Sequence, residues 1–353
     1  MRNVDGAFEK GAIAFQHVRA AQHAVGPHVV HLAEFRKSAL EFSGRKLPPE
    51  TNFPPYVFQG CSLQRTKARA VPARIIDGRA IAAELRADLT SRSTALREAG
   101  IHPRLLITLV GENESSIAYV RNLQRTGERI GIEVVVDEMP ERSSAGQIRE
   151  RLMAAGADPA IHGVMLQQPL PPHLSIRSIA DAMPVSKDVD GTHPTNQGHL
   201  AFGSGTEFVP ATPAAVMLLL ERSPAWPLAG RRAVMIGRSV VVGLPVATLM
   251  LAHDATVTVL HKESHGLQPY TKLAEVVVVA TGVPDLITGD MIAPGATVID
   301  VGTTVVDGVL RGDVEFESVR QVAGAITPVP GGVGPVTNIA LMRNVIKAAT
   351  NLR

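Results

Sequence analysis

At 353 residues, 45% apolar and 19% charged, the chain has material for two domains and a sizeable core, which excludes disorder throughout. Its 35 Lys/Arg and 33 Asp/Glu leave a net charge of only +2, without the basic excess of a nucleic-acid-binding protein. The single cysteine, Cys61, excludes an intramolecular disulfide framework and fits a reducing, cytoplasmic compartment.

Residues 1–72 stand apart in composition. They carry ten Lys/Arg against five Asp/Glu, a net +5, and seven of the 13 aromatic residues. Helix-like pieces at Ala12–Ala24 and Val29–Phe42 give way to a stretch broken by Pro48, Pro49, Pro54 and Pro55. A targeting peptide or interaction arm is one reading. Against it, Asp5, Glu9, Glu34 and Glu41 are out of place in a transit peptide, and no basic-then-apolar signal opens the chain. We favour a poorly ordered extension, or initiation near Val71.

From Ala73 strands and helices alternate. Arg74–Asp77 reads as a short strand and Arg79–Glu98 as an amphipathic helix stopped by Gly100. Arg104–Val110 is a strand, Ser115–Ile130 a helix ended by Gly131, and Ile132–Val136 the next strand. Ser144 and Gln147 make a capping box for a helix to Ala155, and Ile161–Leu166 is a strand entering the loop Gln167-Gln168-Pro169-Leu170-Pro171. Thr212-Pro213 predicts an N-cap and first helical residue opening a second α/β unit. Its strands are Ala233–Ile236, Thr256–Leu260, Val276–Ala280 and Thr297–Val301. Repeated strand–helix units predict an α/β fold with parallel sheets covered on both faces. The 22-residue charge-free run Gln321–Met342 is long enough to cross a bilayer, but its three prolines and four glycines predict a loop, so no membrane span is expected.

The strand Ala233–Ile236 leads into Gly237-Arg238-Ser239, then Gly243-Leu244-Pro245 and an apolar helix over Val246–Ala252. Glycine straight after a strand lets the backbone turn tightly and approach phosphates at a helix N-terminus. The pattern G-x-S-x-x-x-G-x-P is not G-x-G-x-x-G, and an ordinary βα turn is its alternative. Where an NAD site would carry an acidic residue, the second strand ends in His261-Lys262. With Arg238 these cations favour a 2′-phosphate, and hence NADP; the alternative is solvated loop charge. Thr281-Gly282 and Gly302-Thr303 follow the third and fourth strands, where ligands of open α/β sheets bind.

In the first half, Leu109-Val110-Gly111 leads to Ser115, Ser116 and Tyr119 at a helix start, Gln167 stands at a strand end, and Lys187-Asp188-Val189-Asp190-Gly191 places two carboxylates on a loop. Each alone has a structural explanation. Together with Ile75-Ile76-Asp77-Gly78, Pro169-Leu170-Pro171, Gly237-Arg238-Ser239, Asp300-Val301-Gly302 and the long run Thr327–Pro335, they resemble one family over residues 74–350. It is the bifunctional methylenetetrahydrofolate dehydrogenase/cyclohydrolase (FolD) family.

That resemblance implies two lobes with a cleft between them. Residues 73–211 with a C-terminal helix at 336–353 would be the folate-binding catalytic lobe, and residues 212–335 the Rossmann-type NADP lobe. It implies oxidation of 5,10-methylenetetrahydrofolate by NADP+, hydrolysis of the methenyl cation to 10-formyltetrahydrofolate, and a homodimer through the cofactor lobes. Tyr119 would stack on the folate, Asp190 grip the pterin's donor edge and Gln167 orient the reacting centre, with Pro169, Leu170, Gly331 and Gly332 also on the substrate. Gly237, Arg238, Ser239, Gly243, Pro245, His261, Lys262, Thr281, Gly282, Gly302 and Thr303 would hold the cofactor. No His/Cys spacing resembles a metal-ligand set.

One departure bears on chemistry. The family has Tyr-x-x-x-Lys, and this chain has Tyr119-Val120-Arg121-Asn122-Leu123. At i, i+4 the lysine would share the face of Tyr119 and point into the cleft, promoting water attack on the methenyl carbon. Leucine transfers no proton, and neither Arg121 nor Arg125 is placed to replace the lysine. Cyclohydrolase activity is therefore in doubt, while dehydrogenation can survive the loss; a fully bifunctional enzyme and a catalytically silent folate- or NADP-binding protein are the alternatives. Smaller departures are Thr303-Thr304 for Ile-Asn, Val336 for Met and Ala211 for Cys.

Overall fold

The structure, a computed structural model, describes residues 72–205 and 208–352. The helix-like pieces and the extension expected before Pro72 lie outside them. In chain order the first half holds β1 (Arg74–Ile75), α1 (Gly78–Glu98), β2 (Arg104–Val110), α2 (Glu114–Ile130), β3 (Glu133–Met139), α3 (Ala145–Ala157) and β4 (Gly163–Leu166). Local signals set these bounds. Asp77 caps α1 by accepting from the backbone N–H of Arg79 at 2.9 Å and Ala80 at 3.2 Å. Gly131 ends α2 in the left-handed region at φ 86°, and the Ser144–Gln147 capping box opens α3.

The second half holds α4 (Pro194–Phe202), α5 (Ala211–Glu221), β5 (Arg232–Ile236), α6 (Gly243–Ala252), β6 (Thr256–Leu260), α7 (Gln268–Thr271), β7 (Val276–Val279), β8 (Thr297–Asp300), β9 (Thr304–Val306), β10 (Val309–Arg311), α8 (Phe316–Arg320), β11 (Ala325–Ile326) and α9 (Val333–Asn351). Two sheets result, one of order β3-β2-β4 and one of order β1-β11-β8-β7-β5-β6, each parallel throughout. Strands β9 and β10 form a separate antiparallel hairpin. All four valines of β7 are 0% exposed, as a continuous apolar run flanked by strands and covered on both faces requires.

Three expectations are corrected. Helix α5 starts at Ala211 with Pro210 as N-cap and no side-chain cap, so Thr212 and Pro213 lie inside its first turn. Proline is accepted there because first-turn N–H groups need no helical partner. The run Gln321–Met342 is not one loop: it contains β11 and the first half of α9, which carries Pro335 in its opening turn on the same grounds. Residues Arg74–Ile75, read as opening the first lobe, hydrogen-bond in register with Ala325–Ile326 at the edge of the second sheet. The chain therefore passes between the two halves three times, from β1 into α1, from β4 to β5 and from β11 into α9. Helix α9 packs on α1 and α5, and burying its Leu341, Met342, Val345 and Ile346 contributes about 1.5–3 kcal/mol per side chain.

Candidate active site

In each sheet one strand has its sequence successors on opposite sides. Strand β2 is flanked by β3 and β4, and β5 by β6 and β7. Loops leaving the carboxyl ends of such strands diverge and open a crevice. A cleft of about 760 Å³ is lined from the first lobe by Ser115, Ser116, Tyr119, Asn122, Gln167 and Pro169. The second lobe adds Asp300–Thr303, with Val305 and Leu310 from the β9–β10 hairpin, and Gly331–Pro335 and Asn338 complete it.

The first wall is built on α2. Asn113 caps the helix by accepting from the Ser116 N–H at 3.0 Å, which turns Ser115, Tyr119 and Asn122 toward the cleft. At about 100° per residue, Asn122 and Leu123 flank Tyr119 on opposite sides. Asn122 takes the cleft side. Leu123 takes the core side, is 0% exposed among apolar neighbours and is not part of the cleft lining. Tyr119 straddles the two, half-buried and packed against the same core.

Gln167 leaves β4 with its backbone N–H donating to the Thr108 carbonyl at 2.9 Å. Its side-chain amide donates to the Gln168 carbonyl, and its Oε1 is buried in the cleft wall without a partner. The peptide Gln168–Pro169 is cis. Pro169 reaches the cleft, whereas Leu170 packs into the apolar cluster behind β4.

The two loop carboxylates separate in role. Asp188 is fully buried and accepts from the Thr192 N–H at 3.1 Å, the Thr192 hydroxyl at 3.2 Å, the His193 N–H at 2.8 Å and Asn196 Nδ2 at 2.8 Å. It is the knot of the loop. Burial, then the neighbouring charge of Asp188, pushes the Asp190 carboxyl up to about 7, opposed by the Ala211 N–H. Burial and then the Asp190 charge likewise push the Tyr119 phenol upward, so these two groups share one electrostatic neighbourhood. Asp190 lies outside the cleft lining proper.

On the opposite side the turn after β5 is built for close backbone approach. Gly237 has φ 116°, and a Cβ there would stand 2.2 Å from the Ala280 carbonyl oxygen. A Cβ on Gly243 would stand 2.2 Å from the Gly237 oxygen. Ser239 Oγ accepts from the N–H groups of Val242 at 3.1 Å and Gly243 at 3.3 Å, holding the turn against α6, where Pro245 is buried in the first turn. Arg238 is exposed, and Lys262 is 86% exposed with Glu263 at 3.7 Å. The N–H groups of Thr281 and Gly282 are taken by Asp313 Oδ2. Gly302 and Thr303 border the cleft, and the other expected cofactor residues cluster at the carboxyl ends of β5, β6 and β7. A glycine cradle at the strand-order reversal with exposed cations fits a phosphorylated dinucleotide.

Sequence reasoning passed over Asn122, Arg79, Val305, Leu310 and Asn338, all on the cleft. Asn122 was within reach, three positions from Tyr119 on a helix. Asn338 falls both in the charge-free run read as a loop and in the C-terminal helix implied at 336–353, and neither reading marks it as facing the cleft.

Two parallel α/β lobes facing across a cleft, one with a dinucleotide-type turn, define the class. Residues 76–190 match the catalytic domain of tetrahydrofolate dehydrogenase/cyclohydrolase, and residues 210–353 match its NAD(P)-binding domain. The chain belongs to the tetrahydrofolate dehydrogenase/cyclohydrolase family. It is 45% identical over 280 residues to the bifunctional protein FolD of Moorella thermoacetica, covering 79% of this chain and 99% of that protein. It is 47% identical over 278 residues to its namesake from Bordetella avium, covering 78% and 97%. Among solved structures, the bifunctional enzyme of Campylobacter jejuni matches with a TM-score of 0.76 at 38% identity, covering 79% of this chain and 99% of that one. The Trypanosoma brucei enzyme, complexed with NADP and an inhibitor, matches with a TM-score of 0.76 at 36% identity, covering 80% and 98%.

Proposed function

We infer that the protein oxidises 5,10-methylenetetrahydrofolate to the 5,10-methenyl cation with NADP+, and that hydrolysis to 10-formyltetrahydrofolate is weak. The observation that carries this reading is the cleft itself, which sets Tyr119 and Gln167 opposite Gly302 and Thr303. Tyr119 offers its ring face to the pterin, and Asp190, as the carboxylate, accepts from the pterin's donor edge. Gln167 Oε1, buried without a partner, is available to orient the reacting centre. Bound NADP+ supplies a hydride acceptor. Gly237, Gly243 and Ser239 would hold its phosphates, with Arg238, His261 and Lys262 near the 2′-phosphate. Thr281, Gly282, Gly302 and Thr303 would flank the nicotinamide end.

Hydride loss from the methylene carbon is driven by the folate nitrogen lone pair and needs geometry from the protein, not a proton acceptor. Water addition to the methenyl carbon does need one, and the side chain at position 123 is a buried leucine. General acid–base help is worth about 10²–10⁴-fold. A second reading keeps both activities, as the relatives' name implies for them; Asp190, with its carboxyl near 7, is the group favouring it. A cytoplasmic homodimer completes the proposal, supported by exposed Leu244 and Leu251 on α6 beside the sheet-edge strand β6. Light scattering giving a monomer mass would remove the dimer. The activity is tested by following NADPH and methenyltetrahydrofolate as separate signals from 5,10-methylenetetrahydrofolate and NADP+. No NADPH would refute the reading.

A further inference from the structure

Helix α9 buries three polar side chains among apolar ones: Thr337, Asn338 and Asn344. Two have partners. The Thr337 hydroxyl donates to the Val333 carbonyl at 3.2 Å, and Asn344 Nδ2 donates to the Val189 carbonyl at 2.8 Å and the Val209 carbonyl at 2.9 Å. Asn338 differs. It is 4% exposed, its Oδ1 is buried with no hydrogen-bond partner, and it borders the cleft.

Asparagine is a poor residue for a helix interior, and an unpaired buried acceptor costs about 1–3 kcal/mol. A helix that satisfies its neighbouring Asn344 twice over gains nothing for its own packing from leaving Asn338 unpaired. Buried polar groups are paired in the great majority of cases, and an exception facing a cavity points to a partner that enters that cavity. Placement supports this. Gly334, Pro335 and Asn338 fall on one face of α9, at i, i+1 and i+4, and all three line the cleft. Glycine and proline leave that face open, so the amide is its first polar group. Gln167 Oε1, in the same lining, is the other buried amide oxygen there without a partner.

We propose that Asn338 is a substrate-positioning residue whose side-chain carbonyl accepts a hydrogen bond from an N–H of the reduced folate bound in the cleft. The inference rests on the folate reading above. It adds a contact from α9 to those from Tyr119, Gln167 and Asp190. An amide oxygen accepts without adding charge, so it holds the ring in both the neutral substrate and the cationic product.

The test is calorimetric titration of tetrahydrofolate, and separately of NADP+, into the full chain and into Asn338→Leu, together with the melting temperature of each free protein. Leucine keeps the volume and removes the acceptor. The expected result is tetrahydrofolate binding weakened about 5- to 30-fold, NADP+ binding unchanged, and a melting temperature equal to or above that of the parent, since an unpaired buried acceptor has been removed. A purely structural asparagine would give the reverse, a lower melting temperature with binding intact, and would overturn the proposal. Asn338→Ala, which removes the acceptor without adding bulk, must weaken tetrahydrofolate in the same way; binding by both variants equal to the parent's also overturns the proposal. If the parent chain itself binds NADP+ but no tetrahydrofolate, the functional reading fails first, and that outcome is distinct from the failure of Asn338 alone.

Discussion

Asp188 and Asp190 stand two residues apart and do different work. Four donors hold Asp188 inside its loop, whereas Asp190 has its carboxyl raised to about 7 by burial and by the charge beside it. In the proposed role Asp190 must be ionised to accept from the pterin. The sign follows: the raised group is protonated below about 7, so kcat/KM for the folate should climb tenfold per pH unit below that point and level off above it. Asp190→Asn should abolish that limb. Leu123 is the second decisive residue. Leu123→Lys should raise methenyl hydrolysis at least tenfold, measured as loss of methenyl absorbance, because the longer lysine stem can carry a group able to exchange a proton from the core side of Tyr119 toward the cleft. It should also cost about 3 kcal/mol of stability by denaturant titration, since the position is fully buried in the core. A stable variant with no gain in hydrolysis would count against leucine as the cause.

At the scale of elements, α9 ties the loop carrying Asp190 to the rest of the lobe. Asn344 Nδ2 donates to the carbonyl of Val189, immediately before Asp190, and to that of Val209. Asn344→Leu leaves both carbonyls unpaired, which should cost about 2–4 kcal/mol and weaken tetrahydrofolate binding while NADP+ binding holds. Unchanged folate affinity would show that the loop stands without α9. These elements differ in how far the sequence reveals them. The strand Arg104–Val110 and the valine run of β7 follow from apolar patterning alone, and α2 ends where Gly131 says it should. Helix α4 and the β9–β10 hairpin were passed over: the first has few apolar residues to set a period, the second three residues per strand. The start of α9 was masked by prolines and glycines that, in a first turn and the loop before it, do not oppose a helix. Within the site, Tyr119 and Gln167 are marked by the family resemblance, since position alone allows helix packing for one and turn hydrogen bonding for the other. Which way Leu123 points was not legible, because a 40° difference on a helix is settled by packing with α9 and α1, not by spacing.

Besides the link from β4 to β5, two further crossings of the chain hold the described molecule together. Strand β1 belongs to the second sheet but feeds α1 on the first, and α9 leaves the second sheet to pack against α1 and α5. Neither lobe completes its core from one continuous stretch. Residues 72–352 should therefore unfold in a single cooperative transition, and NADP+ should raise its midpoint for probes in both lobes alike. Two separate transitions, with only one shifted by NADP+, would contradict that coupling. The same construction places residues from the carboxyl ends of both sheets on one cleft, as the proposed hydride transfer between two ligands requires.

The most direct test of the central claim follows purified protein with 5,10-methylenetetrahydrofolate and NADP+, recording NADPH and methenyltetrahydrofolate together. The account predicts NADPH formation with methenyl accumulating in step and disappearing no faster than in buffer. NADPH formation with methenyl lost well above the buffer rate would contradict it, and would mean that another group promotes water attack with leucine at position 123.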